Sequence, residues 1–138
     1  MISFETKSVE MPILEFGRIN SWLEEIAASH DRLIGNLNYL FCDDEEILRV
    51  NREFLKHDYF TDIITFDYSR KRRVSGDIFI SLDTVKSNAE ELKVSFPDEL
   101  LRVIAHGLLH LCGIDDKAPG EREIMERHEN DALKLWHN

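Results

Sequence analysis

Asp62-Ile63-Ile64-Thr65-Phe66-Asp67-Tyr68, Ser69-Arg70-Lys71-Arg72-Arg73-Val74 and Ser75-Gly76-Asp77-Ile78-Phe79-Ile80-Ser81-Leu82 follow one another in the chain and decide its fold. The first and third segments are rich in β-branched and aromatic residues, so each reads as a strand. The middle segment is a loop of hairpin length. Upstream, Asp43 or Asp44 caps a helix running to Leu55, with Glu45 and Glu46 suiting its positive end. Leu37 to Cys42 alternates as a strand, preceded by a turn signal at Gly35-Asn36. Phe16, Ile19, Trp22, Leu23 and Ile26 recur at helical spacing over Phe16 to Ser29, and Ile2 to Ser8 alternates as a first strand. Downstream, Asp83 caps a helix to about Val94. Pro97-Asp98-Glu99 then opens another helix, proline first and acids after. A last helix spans about Gly120 to Trp136. The order βαβαββααα predicts one α+β domain over residues 1–138, a small mixed four-stranded sheet packed with about five helices.

Composition narrows the class. At 138 residues, with 43% apolar and 32% charged residues, the chain is long enough for a core and is not disordered. No apolar run approaches the roughly 20 residues that cross a bilayer, and the N-terminus lacks a basic start before an apolar stretch, so neither membrane nor signal peptide is expected. Cys42 and Cys112 form no framework and read as free thiols in a reducing cytoplasm. The net charge of −10 excludes bulk attraction to nucleic acid and leaves only a local basic patch for such contact.

His106, His110, Gly113 and Asp116 carry the chemistry. Two histidines four apart stand one turn above each other on one helix face and can grip one transition metal, with Zn²⁺ the expected ion, one per chain. Asp116, six residues past His110, points away from that face unless the chain reverses. Gly113 supplies the left-handed conformation that ends a helix and turns it back. Three protein ligands and an open position are the pattern of a catalytic zinc. Paired histidines also occur on helices without a metal. Here Val103, Ile104, Leu108, Leu109 and Leu111 predict a helix apolar nearly all round, where two unpaired imidazoles are costly and a metal satisfies both. Gly107, mid-helix, costs about 1 kcal/mol against alanine and predicts close approach of a substrate or another backbone. A zincin protease needs Glu where Gly107 stands. Two histidines and a carboxylate also suit Fe(II) oxygen chemistry, which nothing else in the chain supports.

Arg70, Lys71, Arg72 and Arg73 make a basic run at the expected hairpin tip, either a solvated tip or an RNA-phosphate contact. Asp77, at a strand start, is a turn residue or faces a partner. Turn chemistry accounts for His57, Asp58, Thr61 and Asp62. His30, His128 and His137 read as surface residues.

Taken in order, several segments resemble the YbeY family of bacterial ribosomal RNA maturation factors. They are Asn51-Arg52-Glu53-Phe54, the strand Thr61-Asp62-Ile63-Ile64-Thr65-Phe66, the strand Gly76-Asp77-Ile78-Phe79-Ile80-Ser81, the run His106 to Asp116, and Met125-Glu126 with Glu129. The resemblance covers Leu37 to the end. It implies a metal-dependent, single-strand-selective endoribonuclease that matures small-subunit ribosomal RNA and works with the small ribosomal subunit. It also accounts for Gly107. The amphipathic final helix can pack on the core or mediate dimers; packing, and so a monomer, is the expectation. The family usually has histidine where this chain has Asp116, and a harder oxygen ligand there favours zinc less strongly over Mn²⁺, Fe²⁺ or Ni²⁺. The family often has an arginine where this chain has Leu55. Arg52 and Lys56, each within one turn of it, are then the candidate cations for the phosphate. A non-catalytic ribosome-assembly factor with a structural metal is the alternative reading, and a metallopeptidase a further one.

Overall fold

The computed structural model describes residues 1–56 and 61–138. His57 and Asp58, from the turn cluster above, lie outside the described residues. In chain order the elements are β1 (Ile2–Thr6), α1 (Phe16–Ser29), β2 (Leu33–Cys42), α2 (Asp44–Val50), a π-helical turn (Asn51–Leu55), β3 (Ile63–Asp67), β4 (Arg73–Ser81), α3 (Leu82–Leu92), α4 (Phe96–Leu111) and α5 (Glu121–His137). The sheet order is β1-β2-β4-β3. β1, β2 and β4 run parallel, and β3 returns antiparallel to β4 through the basic hairpin. The architecture is the expected α+β, with a four-stranded mixed sheet and five α-helices among the described residues.

Strand alternation divides the core between the two faces of the sheet. On one face Leu37, Tyr39 and Phe41 of β2 join Val74, Ile78 and Ile80 of β4. They pack under Ile19, Trp22, Leu23 and Ile26 of α1 and Leu100, Ile104 and Leu108 of α4, all of these nearly or fully buried. The other face is smaller: Cys42 and Ile64 meet Ile47 and Val50 of α2, with Leu40, Phe66 and Phe79 at its edge. The Tyr39 hydroxyl donates to the Ile104 carbonyl of α4 at 2.8 Å, fastening that helix to the sheet two residues before His106. Both cysteines are free and buried. Burial pushes the Cys42 thiol up to about 12 and the Cys112 thiol up to about 11, so neither is a ready nucleophile. Among the described residues no helix is long and apolar enough to cross a membrane.

Among the boundaries that differ from the sequence reading, four have a clear local reason. β2 begins at Leu33, so Gly35-Asn36 lies inside a strand and not in a turn. The register moves from Ile34↔Val74 to Leu37↔Gly76, which is a bulge. Glycine is needed there because a Cβ at position 35 would stand 2.4 Å from Ser75 Oγ and 2.8 Å from Arg73 Cγ. The second helix is α-helical only to Val50. It widens into the π turn and stops at Lys56, whose φ of 58° breaks it. α3 is capped by Ser81, whose hydroxyl accepts from the Thr84 N–H at 3.3 Å. Asp83 instead accepts from the Asp44 N–H at 3.0 Å, tying the start of α2 to α3. β1 ends at Thr6, two residues early, with Ser8 left-handed at φ 64°.

Candidate functional site

α4 is capped by Ser95, whose hydroxyl accepts from the Asp98 N–H at 3.2 Å, and Pro97 sits in its first turn. From Leu100 to Cys112 every residue is buried except Arg102, His106 and His110. Those three recur every fourth residue, so the helix presents one polar stripe and is apolar elsewhere. This corrects the expectation of two fully buried, unpaired imidazoles: the His106 side chain is 21% exposed and that of His110 35%. At Gly107 the nearest atoms are side chains of the sheet: a Cβ there would meet Ile78 Cδ1 at 3.0 Å and Ile63 Cδ1 at 3.1 Å. The glycine lets α4 sit close on β3 and β4, which fixes the height of the stripe above the sheet.

The end of α4 turns as its glycine requires. Gly113 has φ 98°; its N–H donates to the His110 carbonyl at 3.0 Å, and the Ile114 N–H donates to the Leu109 carbonyl at 3.1 Å. This pair of bonds is a Schellman motif, which closes the helix and reverses the chain. Asp116 is thereby carried back over the stripe, its Oδ2 3.4 Å from His106 Nε2. That distance is too long for a strong hydrogen bond. It matches the edge of about 3.3 Å between two ligands that share a tetrahedral zinc at about 2.0–2.1 Å from each. The other ring nitrogen, Nδ1, lies 2.6 Å from Glu129 Oε2 on α5. Glu129 Oε1 accepts from Arg102 at 3.0 Å, and Arg102 donates also to Asn130 Oδ1 at 2.8 Å. α5 is held in place by Trp22, whose indole N–H donates to the Ala132 carbonyl at 2.7 Å.

The electrostatics follow from this packing. Burial works against charge on His106, but the Glu129 hydrogen bond and the charges of Glu129, Asp116 and Asp62 outweigh it and raise its pKa. Burial likewise works against the Glu129 carboxylate, and the bonds from His106 and Arg102 outweigh it, so its pKa falls. Asp62, at the entrance to β3, and Glu99, one turn before Arg102, are pushed up chiefly by burial. The stripe therefore sits in a half-buried acidic surround.

The donor set fits a divalent transition metal. One imidazole nitrogen and one carboxylate oxygen meet at a ligand–ligand distance, and a carboxylate holds the ring from behind, as ligating histidines usually require. His110 stands one turn along the same stripe, its Nδ1 3.9 Å from Asp115 Oδ1. Among the described residues no three His, Cys, Asp or Glu side chains already converge as a cage. His106 and Asp116 meet, while the contact His110 makes is the one with Asp115.

The remaining candidates are spread over the molecule. Arg52 lines a cleft on the α2 side with Ser8, Asp43, Glu46, Arg49 and Glu53. The Lys56 ammonium donates to the Glu53 carbonyl at 3.3 Å. Arg70 to Arg73 are exposed at the hairpin tip. Arg72 is committed to Asp31 at 2.6 Å, whereas Lys71 is left-handed at φ 55°. Asp77 lies on the open sheet face, where its carboxylate accepts from the Asn38 amide at 3.0 Å and Asn38 in turn accepts from the Ser3 hydroxyl at 2.6 Å. His30 and His128 face each other edge-on at 4.9 Å between α1 and α5, and are not simply solvated.

Three functional features escaped the sequence reading. Glu129 was visible as part of a motif, but its contact with His106 spans 23 residues and depends on how α5 docks. Arg102 was legible as the next member of the His106–His110 period. Arg32 had no sequence signal. Its guanidinium donates to the Lys71 carbonyl at 3.2 Å and to the Cys112 carbonyl at 3.3 Å, so it joins the basic tip to the end of α4.

The family profile described as Endoribonuclease YbeY matches residues 2–137. A Phocaeicola vulgatus protein named Endoribonuclease YbeY is 56% identical over 135 residues, covering 98% of each chain. One of the same name from Bacteroides thetaiotaomicron is 54% identical over 134 residues, covering 97% of this chain and 98% of its own. The solution structure of a Thermotoga maritima protein superposes with a TM-score of 0.62 at 26% identity, covering 99% of this chain and 92% of that one. With nearly its whole length matched, the chain belongs to the YbeY endoribonuclease family.

Proposed function

We propose that this protein is a metal-dependent endoribonuclease that cleaves single-stranded RNA during maturation of small-subunit ribosomal RNA in the cytoplasm. It would act as a monomer at the small ribosomal subunit. The observation that carries the reading is the meeting of His106 Nε2 and Asp116 Oδ2 at 3.4 Å, with Glu129 behind the same ring. His106, His110 and Asp116 are the residues that would hold one zinc ion per chain. Such an ion supplies Lewis acidity, which activates water or polarises a phosphoryl oxygen.

The chain's own groups do the rest. Glu129 keeps the His106 ring in place. The Gly113 turn sets Asp116 beside it. Arg70, Lys71 and Arg73 attract the RNA backbone, and Arg32 holds that tip against the end of α4, so a bound strand leads toward the stripe. Arg52 and Lys56 are the cations assigned to charge developing on phosphorus. They precede the segment that enters β3 at Asp62, which is close enough to His106 to raise its pKa. Asp77, half-buried in its ladder with Asn38 and Ser3, is the residue assigned to a protein partner.

Elemental analysis of the wild type beside Asp116→Ala tests the metal: about one zinc per chain, lost in the variant, is expected. His110→Ala should reduce cleavage of a single-stranded RNA by about 100-fold or more, with metal-free controls inert. Cleavage untouched by His110→Ala rejects the mechanism. The second reading, a non-catalytic ribosome-assembly factor, is favoured by the net charge of −10 and by Leu55 in the family's arginine position. It predicts ribosome binding that survives metal removal. A peptidase is disfavoured, because position 107 faces Ile78 and Ile63 at contact distance and has no room for a catalytic carboxylate.

A further inference from the structure

His106, Glu129 and Arg102 form one continuous chain of hydrogen bonds across the α4–α5 interface, and with Glu129 ionised the donor inventory along it follows. A guanidinium has only donors and keeps its proton. Arg102 therefore requires Glu129 Oε1, at 3.0 Å, to be an acceptor. The second oxygen of an ionised carboxylate is also an acceptor. His106 Nδ1, 2.6 Å from Oε2, must then carry the hydrogen. In the neutral ring this leaves the lone pair on Nε2, the nitrogen that faces Asp116.

We propose that Glu129 is the positioning residue of this site: anchored by Arg102, it holds the His106 proton on Nδ1 and presents Nε2 as a lone pair toward Asp116 for a divalent metal. The inference rests on the metal reading for its purpose, though not for its geometry. Glu129 is 9% exposed, so water cannot readily substitute for it. Arg102 is held on its other side by Asn130, so it stays in place when Glu129 changes.

Glu129→Gln gives the discriminating test, because it alters hydrogen-bond polarity at constant shape. Glutamine brings one acceptor and one donor to a position with two donors facing it. Arg102 cannot adapt, whereas a neutral histidine can exchange tautomer. The glutamine oxygen should turn to Arg102 and its NH₂ to Nδ1, driving the His106 proton to Nε2 and removing the ligating lone pair. In Arg102→Met/Glu129→Gln the oxygen is released from Arg102 and can accept from Nδ1–H again. The double variant should therefore regain what the single variant lost.

The experiment uses full-length, metal-free protein with ¹⁵N-labelled histidine. Two-bond ¹H–¹⁵N correlation at mildly alkaline pH, where imidazole is neutral, reads the tautomer. The His106 signals are identified by their loss in His106→Gln, and the other histidines report an intact fold. Wild type should show Nδ1–H, Glu129→Gln should show Nε2–H, and the double variant should return toward Nδ1–H. Zinc competition against a chromogenic chelator should weaken by about 10- to 100-fold in Glu129→Gln and recover in part in the double variant. A Glu129→Gln protein that keeps Nδ1–H overturns the proposal, as does a double variant indistinguishable from the single one. A wild type that binds no zinc while its tautomer follows this pattern rejects the metal reading alone and leaves the positioning role standing.

Discussion

Glu46 is a tightly held carboxylate outside the His106 stripe. Its side chain is 9% exposed, yet it meets Lys7 at 3.1 Å and Arg49 at 2.7 Å. The Arg49 hydrogen bond, partly opposed by burial and assisted by Lys7, holds the carboxyl down to about 2 from an ordinary 4.5. A depressed folded-state pKa means stability that is present above the unfolded value and lost as pH falls through the folded one. Glu46→Gln should therefore cost about 1–2 kcal/mol at neutral pH, a figure reduced because both cations are half-exposed. Urea titrations of the two proteins should converge between pH 4.5 and about 2. A gap independent of pH would mean that packing, not the ion pair, holds Glu46. At this scale the sequence showed residue types and local spacing well: His106 and His110 by their interval, Asp116 through the Gly113 turn. It did not show contacts set by tertiary docking, such as Glu46 with Lys7 or Glu129 with His106. Lys7 follows the end of β1 and Glu46 lies on α2, and nothing in either neighbourhood announces the other.

Elements were legible where one period dominates. α1 has an unbroken apolar stripe, and its ends fell where the spacing placed them. The errors came where one residue type serves two geometries. Gly35-Asn36 signals a tight turn in isolation, but the same glycine relieves a bulge where two strands press together. The helix ending at Leu55 looked uniform because a π turn leaves the apolar pattern almost unchanged while shifting the backbone bonds. Gly107 announces a close approach, but a helical glycine reports that something is close without naming it; here the nearest atoms belong to Ile78 and Ile63. Gly107→Ala tests the packing now seen. Alanine gains about 1 kcal/mol in helix propensity. Its methyl group would press on Ile78 Cδ1 and Cγ2 at 3.0 and 3.1 Å and on Ile63 Cδ1 at 3.1 Å. Overpacking of this kind costs about 1–3 kcal/mol. The net expectation is a loss of about 1 kcal/mol and a Tm lower by a few degrees, read by thermal denaturation of metal-free protein. A rise in Tm would show that the isoleucines yield freely and that α4 is not held at its height by this contact.

At the scale of the whole molecule, a net charge of −10 repels a polyanion, so binding of RNA must be local. The basic tip between β3 and β4 is the place where the fold concentrates positive charge, and Arg32 couples it to the end of α4 through Lys71 and Cys112. Its four basic residues are not equivalent. Arg72 is neutralised by Asp31, and Arg73 lies along Gly35 in the β2 bulge with its Cγ and Cδ against that backbone. Arg70 and Lys71, at the turn itself, are the two whose charges are best placed to meet phosphate. Each phosphate neutralised on a single strand contributes about 0.7 to the slope of log binding constant against log salt. Replacing both by glutamine should weaken single-stranded RNA binding and lower that slope by about 1.4, uniformly across sequences. Replacing Arg72 alone should change the slope little, because its charge is already paired. The measurement is RNA affinity by anisotropy from low to physiological salt, on protein whose His110 is changed to alanine so that the substrate survives. An unchanged slope in the Arg70→Gln/Lys71→Gln protein would remove the tip from the RNA path. The strand would then have to reach α4 from the side of Arg52 and Lys56, across the edge of β3.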